Sequence, residues 1–231
     1  MSDPALPDLA DLGVFDERLR QVAADPARVE QALARASTAL AATNDAADRV
    51  RLLAYIGNAE RMLGRSEDAI AHLRESATTA RKHGHQRAHA IALIRIGEAY
   101  RRSDRLVESE EQLRAALTIV ADVPLDGLRD FALQHLGKCL VETGRSDEAV
   151  SVLEEALAIR EEKGAADLIA STELALAWRA DGRSYLSKSR SIRRDETQSP
   201  TSPSASRYAT LTSWNGPTVP VVSERMSSIP W

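Results

Sequence analysis

Three histidines stand close together at positions 83, 85 and 89. That spacing puts His85 and His89 on one helical face, where two imidazoles one turn apart can ligate a metal ion. No carboxylate or cysteine completes a ligand set beside them, so polar residues of a solvent-facing connection are the simpler account and no metal is assigned. Cys139 is the only cysteine. It lies in an Ala- and Leu-rich stretch, which suits a small core residue better than a nucleophile. A short basic run, Lys188, Arg190, Arg193 and Arg194, sits among serines; it fits a phosphosite or nucleic-acid segment, or more simply a solvated tail. The sequence holds no His-Glu-x-x-His, no phosphate loop, no glycine-rich dinucleotide turn and no nucleophile elbow. The expectation is a protein that is not an enzyme and carries no cofactor.

The composition points the same way. Apolar residues make up 43% of the 231 but aromatics only 4%, so the core must come from Ala, Leu, Ile and Val, as in closely packed helices. A net charge of −4 gives no bulk attraction to nucleic acid. One cysteine allows no intrachain disulfide and fits a reducing compartment. The start, Met1 to Asp8, lacks the basic and apolar regions of a secretory signal, and no apolar run reaches the ~18 residues of a membrane span. A cytoplasmic protein that binds neither nucleic acid nor membrane is expected.

The elements that must position any site come from a repeat. Ile56-Gly57, Ile96-Gly97, Leu136-Gly137 and Leu174-Ala175 each sit inside a similar ten-residue stretch, and the small residues are 40, 40 and 38 residues apart. A fixed period in this range marks a solenoid of stacked helical hairpins. Residues 1–26 form a partly irregular lead-in, within which the spacing of Phe15, Leu19 and Val22 predicts a short helix over 14–23. Asp25-Pro26 starts a helix over 27–43, with Val29, Leu33, Ala36 and Leu40 on one face; having no partner helix, it reads as an N-terminal cap. Residues 46–183 form the array, three full repeats and a truncated fourth. Gly64, Asp104, Gly144 and Gly164 are placed to end helices in the left-handed conformation. Ser66 and Ser146 are placed to cap the second helices, with Glu67, Asp68, Asp147 and Glu148 in the first turns. From 184 the period gives way to Ser, Thr, Pro and Arg, so 184–231 is expected to be disordered.

These features resemble tetratricopeptide repeats. The resemblance rests on the small residues Gly57, Gly97, Gly137 and Ala175, on the large residues before them, on Tyr100, Leu140 and Trp178, and on Ala69, Ala149, Leu73, Leu113, Leu153, Ala116 and Ala156 in the second helices. The period exceeds the usual 34, the terminal proline is absent, and Glu60 stands where a large aromatic is expected. In this the chain is similar to the long-helix repeats of kinesin light chains and of bacterial peptide-sensing regulators. The resemblance implies an all-α right-handed superhelix of antiparallel hairpins whose first helices line a concave groove, acting as a protein-interaction scaffold.

If so, the groove shows Arg51, Asn58 and Arg61 from the first repeat, Ile91, Ile94, Glu98, Arg101 and Arg102 from the second, and Phe131, Gln134 and Lys138 from the third, with Glu142 beside them. The fourth adds Ile169, Leu176 and Arg179. Cations outnumber anions there, which predicts a peptide or helix with acidic and apolar residues held by Arg61, Arg101, Arg102 and Arg179. The alternative is that these cations merely solvate an exposed face. The clamp that grips chaperone C-termini is disfavoured, since Ala54 and Phe131 replace its lysines. A different function class, the peptide-sensing module of a bacterial transcriptional or signalling regulator, remains open beside the scaffold. The interrupted fourth repeat is explained either by a reading-frame change near residue 183 or by a homodimer that covers the open C-terminal edge.

Overall fold

The computed structural model of the chain describes residues 6–122 and 127–178. Seven helices follow a short β-hairpin: β1 (Gly13–Phe15), β2 (Gln21–Ala23), α1 (Pro26–Ala42), α2 (Ala46–Met62), α3 (Ser66–Lys82), α4 (Gln86–Arg102), α5 (Leu106–Asp122), α6 (Arg129–Glu142) and α7 (Ser146–Glu162). An eighth helix, α8, covers 166–178. Each helix packs antiparallel on the next, so the fold is a solenoid of helical hairpins, α2 with α3, α4 with α5, and α6 with α7. Among the described residues no helix is long and apolar enough to cross a membrane. The expected features of the 184–231 tail, and Arg179, lie outside the described residues.

The repeating glycines set the hairpin geometry. A β-carbon at Gly57 would fall 2.6 Å from Leu73 Cγ, one at Gly97 2.7 Å from Leu113 Cγ, and one at Gly137 2.5 Å from Leu153 Cγ. Each glycine therefore faces its own hairpin partner, and the leucine of the second helix occupies the space a side chain would need. The large residue before each glycine, Ile56, Ile96 or Leu136, is buried alongside. Gly64 (φ 81), Asp104 (φ 58) and Gly144 (φ 81) end the first helices in the left-handed region, which Gly enters freely and Asp tolerates. Glu60 is buried where an aromatic was expected. Its carboxylate meets His72 Nδ1 at 2.8 Å, and burial, only partly offset by His72, raises its pKa.

Two local expectations are corrected. Ser66 and Ser146 lie one residue inside α3 and α7; Arg65 and Arg145 hold the cap positions, with no side-chain cap hydrogen bond. These arginines instead reach across to the neighbouring repeat. Arg65 pairs with Glu30, Arg105 with Glu67 at 3.4 Å and Arg145 with Glu110 at 2.8 Å. The forty-residue period thus carries an ionic clasp on the outer surface as well as a core.

The second correction is that 14–23 is not helical. Val14 pairs with Val22 and Phe15 with Gln21 in an antiparallel hairpin. Asp16 nucleates its loop: Oδ1 accepts from the Arg18 and Arg20 amides at 2.9 and 2.8 Å, and a side chain so used favours a turn over a helix. Leu9 and Leu12, just before the hairpin, pack in one cluster with Val29, Leu33 and Ala36 of α1 and with Leu52 and Ile56 of α2. Val29, Leu33 and Ala36 stand forty residues before Ala69, Leu73 and Ser76. α1 therefore occupies the second-helix position of a further repeat, and the lead-in covers it where a first helix would lie.

Because overpacking at a close helix contact costs about 1–3 kcal/mol, Gly97→Ala is expected to lower stability by that amount in urea denaturation. Combining it with Leu113→Ala is expected to cost less than the two changes summed, since the new methyl enters the space the leucine leaves; strict additivity would refute the nesting.

Candidate protein-binding groove

The first helices α2, α4 and α6 stand side by side, and the hairpin lies across their C-terminal halves. Contacts of the hairpin and of the residues just before it run the length of the array. Tyr55 of α2 donates its hydroxyl to the Pro7 carbonyl at 2.8 Å, and burial pushes that phenol up to about 12. Arg61 donates from Nη2 to Gln21 Oε1 at 2.9 Å and to Asn58 Oδ1 at 2.7 Å. The Lys138 ammonium of α6 sits 5.6 Å from the centre of the Phe15 ring. Leu19, at the loop tip, joins an apolar cluster with Ala175, Leu174, Leu176 and Trp178 of α8.

The centre of the contact is ionic. Arg101 is fully buried; its Nε and Nη2 donate to the two oxygens of Glu98 at 2.9 and 3.1 Å, and its Nη1 donates to Glu142 Oε1 at 2.6 Å. The same guanidinium reads the loop backbone, donating to the Arg18 and Leu19 carbonyls at 3.1 and 3.2 Å. In return, Arg20 Nη2 donates to the Arg101 carbonyl, Asp104 Oδ1 and Glu142 Oε2, each at 3.0 Å, and Nη1 donates to the Arg102 carbonyl at 3.3 Å. Arg18 pairs with Glu142 and, at 2.9 Å, with Asp104. One carboxylate, 4% exposed, thus gathers three guanidiniums. The last carbonyls of α4 carry the negative end of its dipole and receive Arg20, that of Arg101 in addition to the Asp104 amide at 3.2 Å.

Electrostatics follow from this crowding. Burial opposes ionisation of Glu98, but Arg101 and His135, whose Nδ1 lies 2.9 Å away, outweigh it and hold the carboxyl well below the usual range. Burial likewise opposes the charge on Arg101, yet Glu98 and Glu142 raise its pKa overall. Leu19 sits at φ 52, a conformation that costs a leucine roughly 1–2 kcal/mol; the loop tolerates it because Arg101 and α8 hold both its carbonyl and its side chain.

The structure places Asn58, Arg61, Ile91, Ile94, Glu98, Arg101, Phe131, Gln134 and Lys138 in buried positions. Arg61, Glu98, Arg101 and Lys138 come together beneath the hairpin. Arg102 is half-buried at the edge, and Ile169 and Leu176 are half-buried on α8. Arg51 is exposed and pairs with Asp48 of its own helix at 2.7 Å. Ile91 and Phe131 belong to a separate apolar cluster, and Gln134 accepts from Thr172 at 3.0 Å, so these three pack α4, α6 and α8 together. Two expectations change. Arg61 and Arg101 do not solvate an open face, and their hydrogen-bonding groups are turned to Asn58, Gln21, Glu98 and Glu142 rather than free for an acidic ligand. Sequence reasoning missed Arg18 and Arg20 and gave no role to Asp104 beyond the turn, because all three act through contacts more than eighty residues away in sequence. His83 and His85 are exposed and stacked, with ring centres 6.3 Å apart, and among the described residues no three candidate ligands converge on a metal position. Cys139 is buried, its Sγ 3.4 Å from the Leu106 carbonyl, and burial raises its pKa; it is a core residue with an unreactive thiol.

With hairpins nested at a forty-residue period and a groove across their first helices, the comparison with known families is direct. Residues 87–162 match the family model described as tetratricopeptide repeat. The apo form of RapI shares the fold with a TM-score of 0.57 at 14% identity, covering 74% of this chain and 47% of that one. Aspartyl phosphate phosphatase F from Bacillus subtilis does so with a TM-score of 0.54 at 15% identity, covering 75% of this chain and 44% of that one. The chain thus spans about half the length of those two structures, and at such identity the likeness is one of fold. No protein of curated function matches the sequence. Tetratricopeptide repeats are interaction modules, and the broad reading as a protein-binding scaffold stands on the repeat itself.

Because the Glu98 value is depressed on folding, its stabilisation is complete above the unfolded carboxyl value of about 4.3 and is lost as pH falls through the lower folded value. The thermal midpoint of this repeat protein is therefore expected to drop on acidification through that window. Glu98→Gln, destabilised by about 3 kcal/mol near neutrality, is expected to show a flatter dependence; parallel curves would refute the assignment.

Proposed function

We propose that the concave face of the array binds a segment of another protein in an extended or hairpin conformation, making the chain an interaction scaffold. The observation that carries this is Arg101, which donates from two nitrogens to consecutive backbone carbonyls, those of Arg18 and Leu19. A groove that already recognises main chain, with side-chain contacts from Arg61 and Lys138 on either side, has the parts a peptide site needs: backbone hydrogen bonds for affinity and flanking contacts for specificity. The half-buried Leu176 and Ile169 on α8 extend the apolar part of that surface. Arg51, exposed and paired within its own helix, plays no part in this reading, and the open question of an acidic ligand gives way to one that competes with the hairpin.

A photo-crosslinking residue at Arg102, at the groove edge beside the hairpin, is expected to capture the partner from cell extract. The same residue at Glu111, on the exposed side of α5, is expected not to. Capture from Glu111 alone would place the interaction on the outer surface and overturn the groove reading.

A further inference from the structure

Donors cross the hairpin contact in both directions, Arg61 and Arg101 giving to the loop, but the two arginines that the loop gives in return specify the chemistry of the partner; this inference rests on the groove being the binding site. Arg18 and Arg20, two residues apart on the loop, bring guanidinium donors. Their acceptors belong to the array: Glu142, Asp104 and the carbonyls of Arg101 and Arg102 at the end of α4. Arg20 alone serves two carbonyls and two carboxylates, a fork that an ammonium cannot reproduce in shape. Within the array Glu142 is also held by Arg101, whereas Asp104 is met by Arg18 and Arg20 of the loop and the Arg102 carbonyl by Arg20. The part that can be exchanged is the hairpin, residues 13–23, since Leu9 and Leu12 before it belong to the core of α1 and α2. The hairpin is joined to α1 through Ala24 and Asp25, and Asp25 caps α1 with its own side chain, so the helix start does not depend on the hairpin's position.

We propose that the groove is an arginine-reading site in which the hairpin, residues 13–23, is the resident occupant, and that its partner is a protein segment carrying two arginines two residues apart that displaces the hairpin and takes over the acceptors of Arg18 and Arg20. A tethered occupant competes at about millimolar effective concentration, so the site is closed to weak ligands and opens to those that match this pattern.

The test uses the full chain carrying Arg18→Ala and Arg20→Ala, which weakens the resident hairpin, and a fluorescein-labelled synthetic peptide of residues 13–23 read by anisotropy. The peptide is expected to bind the variant at least about tenfold more tightly than the wild-type chain. Replacing both peptide arginines by lysine is expected to lose about tenfold of that affinity, and adding Glu142→Gln to the protein is expected to cost a similar factor. If the peptide binds equally well without its arginines, the arginine site is overturned while the groove reading survives. If no peptide binds a variant whose helical signal is intact, the groove reading falls as well. A wild-type chain that runs as a dimer and becomes monomeric on Arg18→Ala and Arg20→Ala would make the occupant a second copy's hairpin and overturn the foreign partner. Should the double variant fail to fold, Glu142→Gln alone serves: amide exchange at residues 13–23 is expected to quicken at least about tenfold with α2 to α7 unchanged, and unaltered exchange there overturns the proposal.

Discussion

The structure depends on the absence of a side chain at three points. Where Gly57, Gly97 and Gly137 face Leu73, Leu113 and Leu153, the first helix of each pair comes near enough for leucine to press on its backbone. Interiors are packed densely enough that one added methyl is felt, so this contact fixes the distance between the two helices of every pair. Fixing it three times in phase stacks the pairs so that the first helices share one side. The groove is a by-product of that spacing rather than of any residue that lines it.

What fills the groove obeys a different physics. Glu98, Arg101, Glu142, Arg18 and Arg20 form a connected set of charges, most of them out of contact with water. Isolated buried ion pairs contribute little, because desolvation offsets attraction. Here the offset is reduced because both carboxylates are hydrogen-bonded on each oxygen and Arg20 also serves the Arg102 carbonyl at the helix end, although Arg20 Nε is left without a partner. Such a set is worth most as a geometric specification. It accepts the loop in one conformation, with Leu19 held in a backbone region that leucine avoids, and it leaves little freedom for an arrangement that is nearly right.

The repeat was legible in the sequence because helical nesting writes itself at a fixed interval: Gly57, Gly97 and Gly137 announce it, and Gly64, Asp104 and Gly144 mark where each first helix stops. Cys139 in the core and Asp25 as a cap were legible for the same local reasons. The occupant was not. Phe15, Leu19 and Val22 have helical spacing, and only the side-chain hydrogen bonds of Asp16 and the pull of Arg101 on the loop carbonyls turn that segment into a hairpin. Local pattern carries no record of a contact with Glu142. Ser66 and Ser146 show a smaller version of the same limit: residue type suggested caps, while Arg65 and Arg145 took those positions because each had a glutamate on the adjoining repeat to reach. One clue to the lead-in was present in the phase itself, since Val29, Leu33 and Ala36 match a second helix and leave the preceding residues to stand in for a first.

Repeat arrays are ordinarily one-dimensional: each unit touches only its neighbours, and stability accumulates unit by unit. The pairing of Arg18 with Glu142 joins positions 124 residues apart in sequence and so closes the line into a loop. Fraying at the α6 end then loosens the chain's opening residues, and the array loses the independence of its units. Its folding also acquires a late step, because a contact of such sequence separation can form only after the pairs between have stacked.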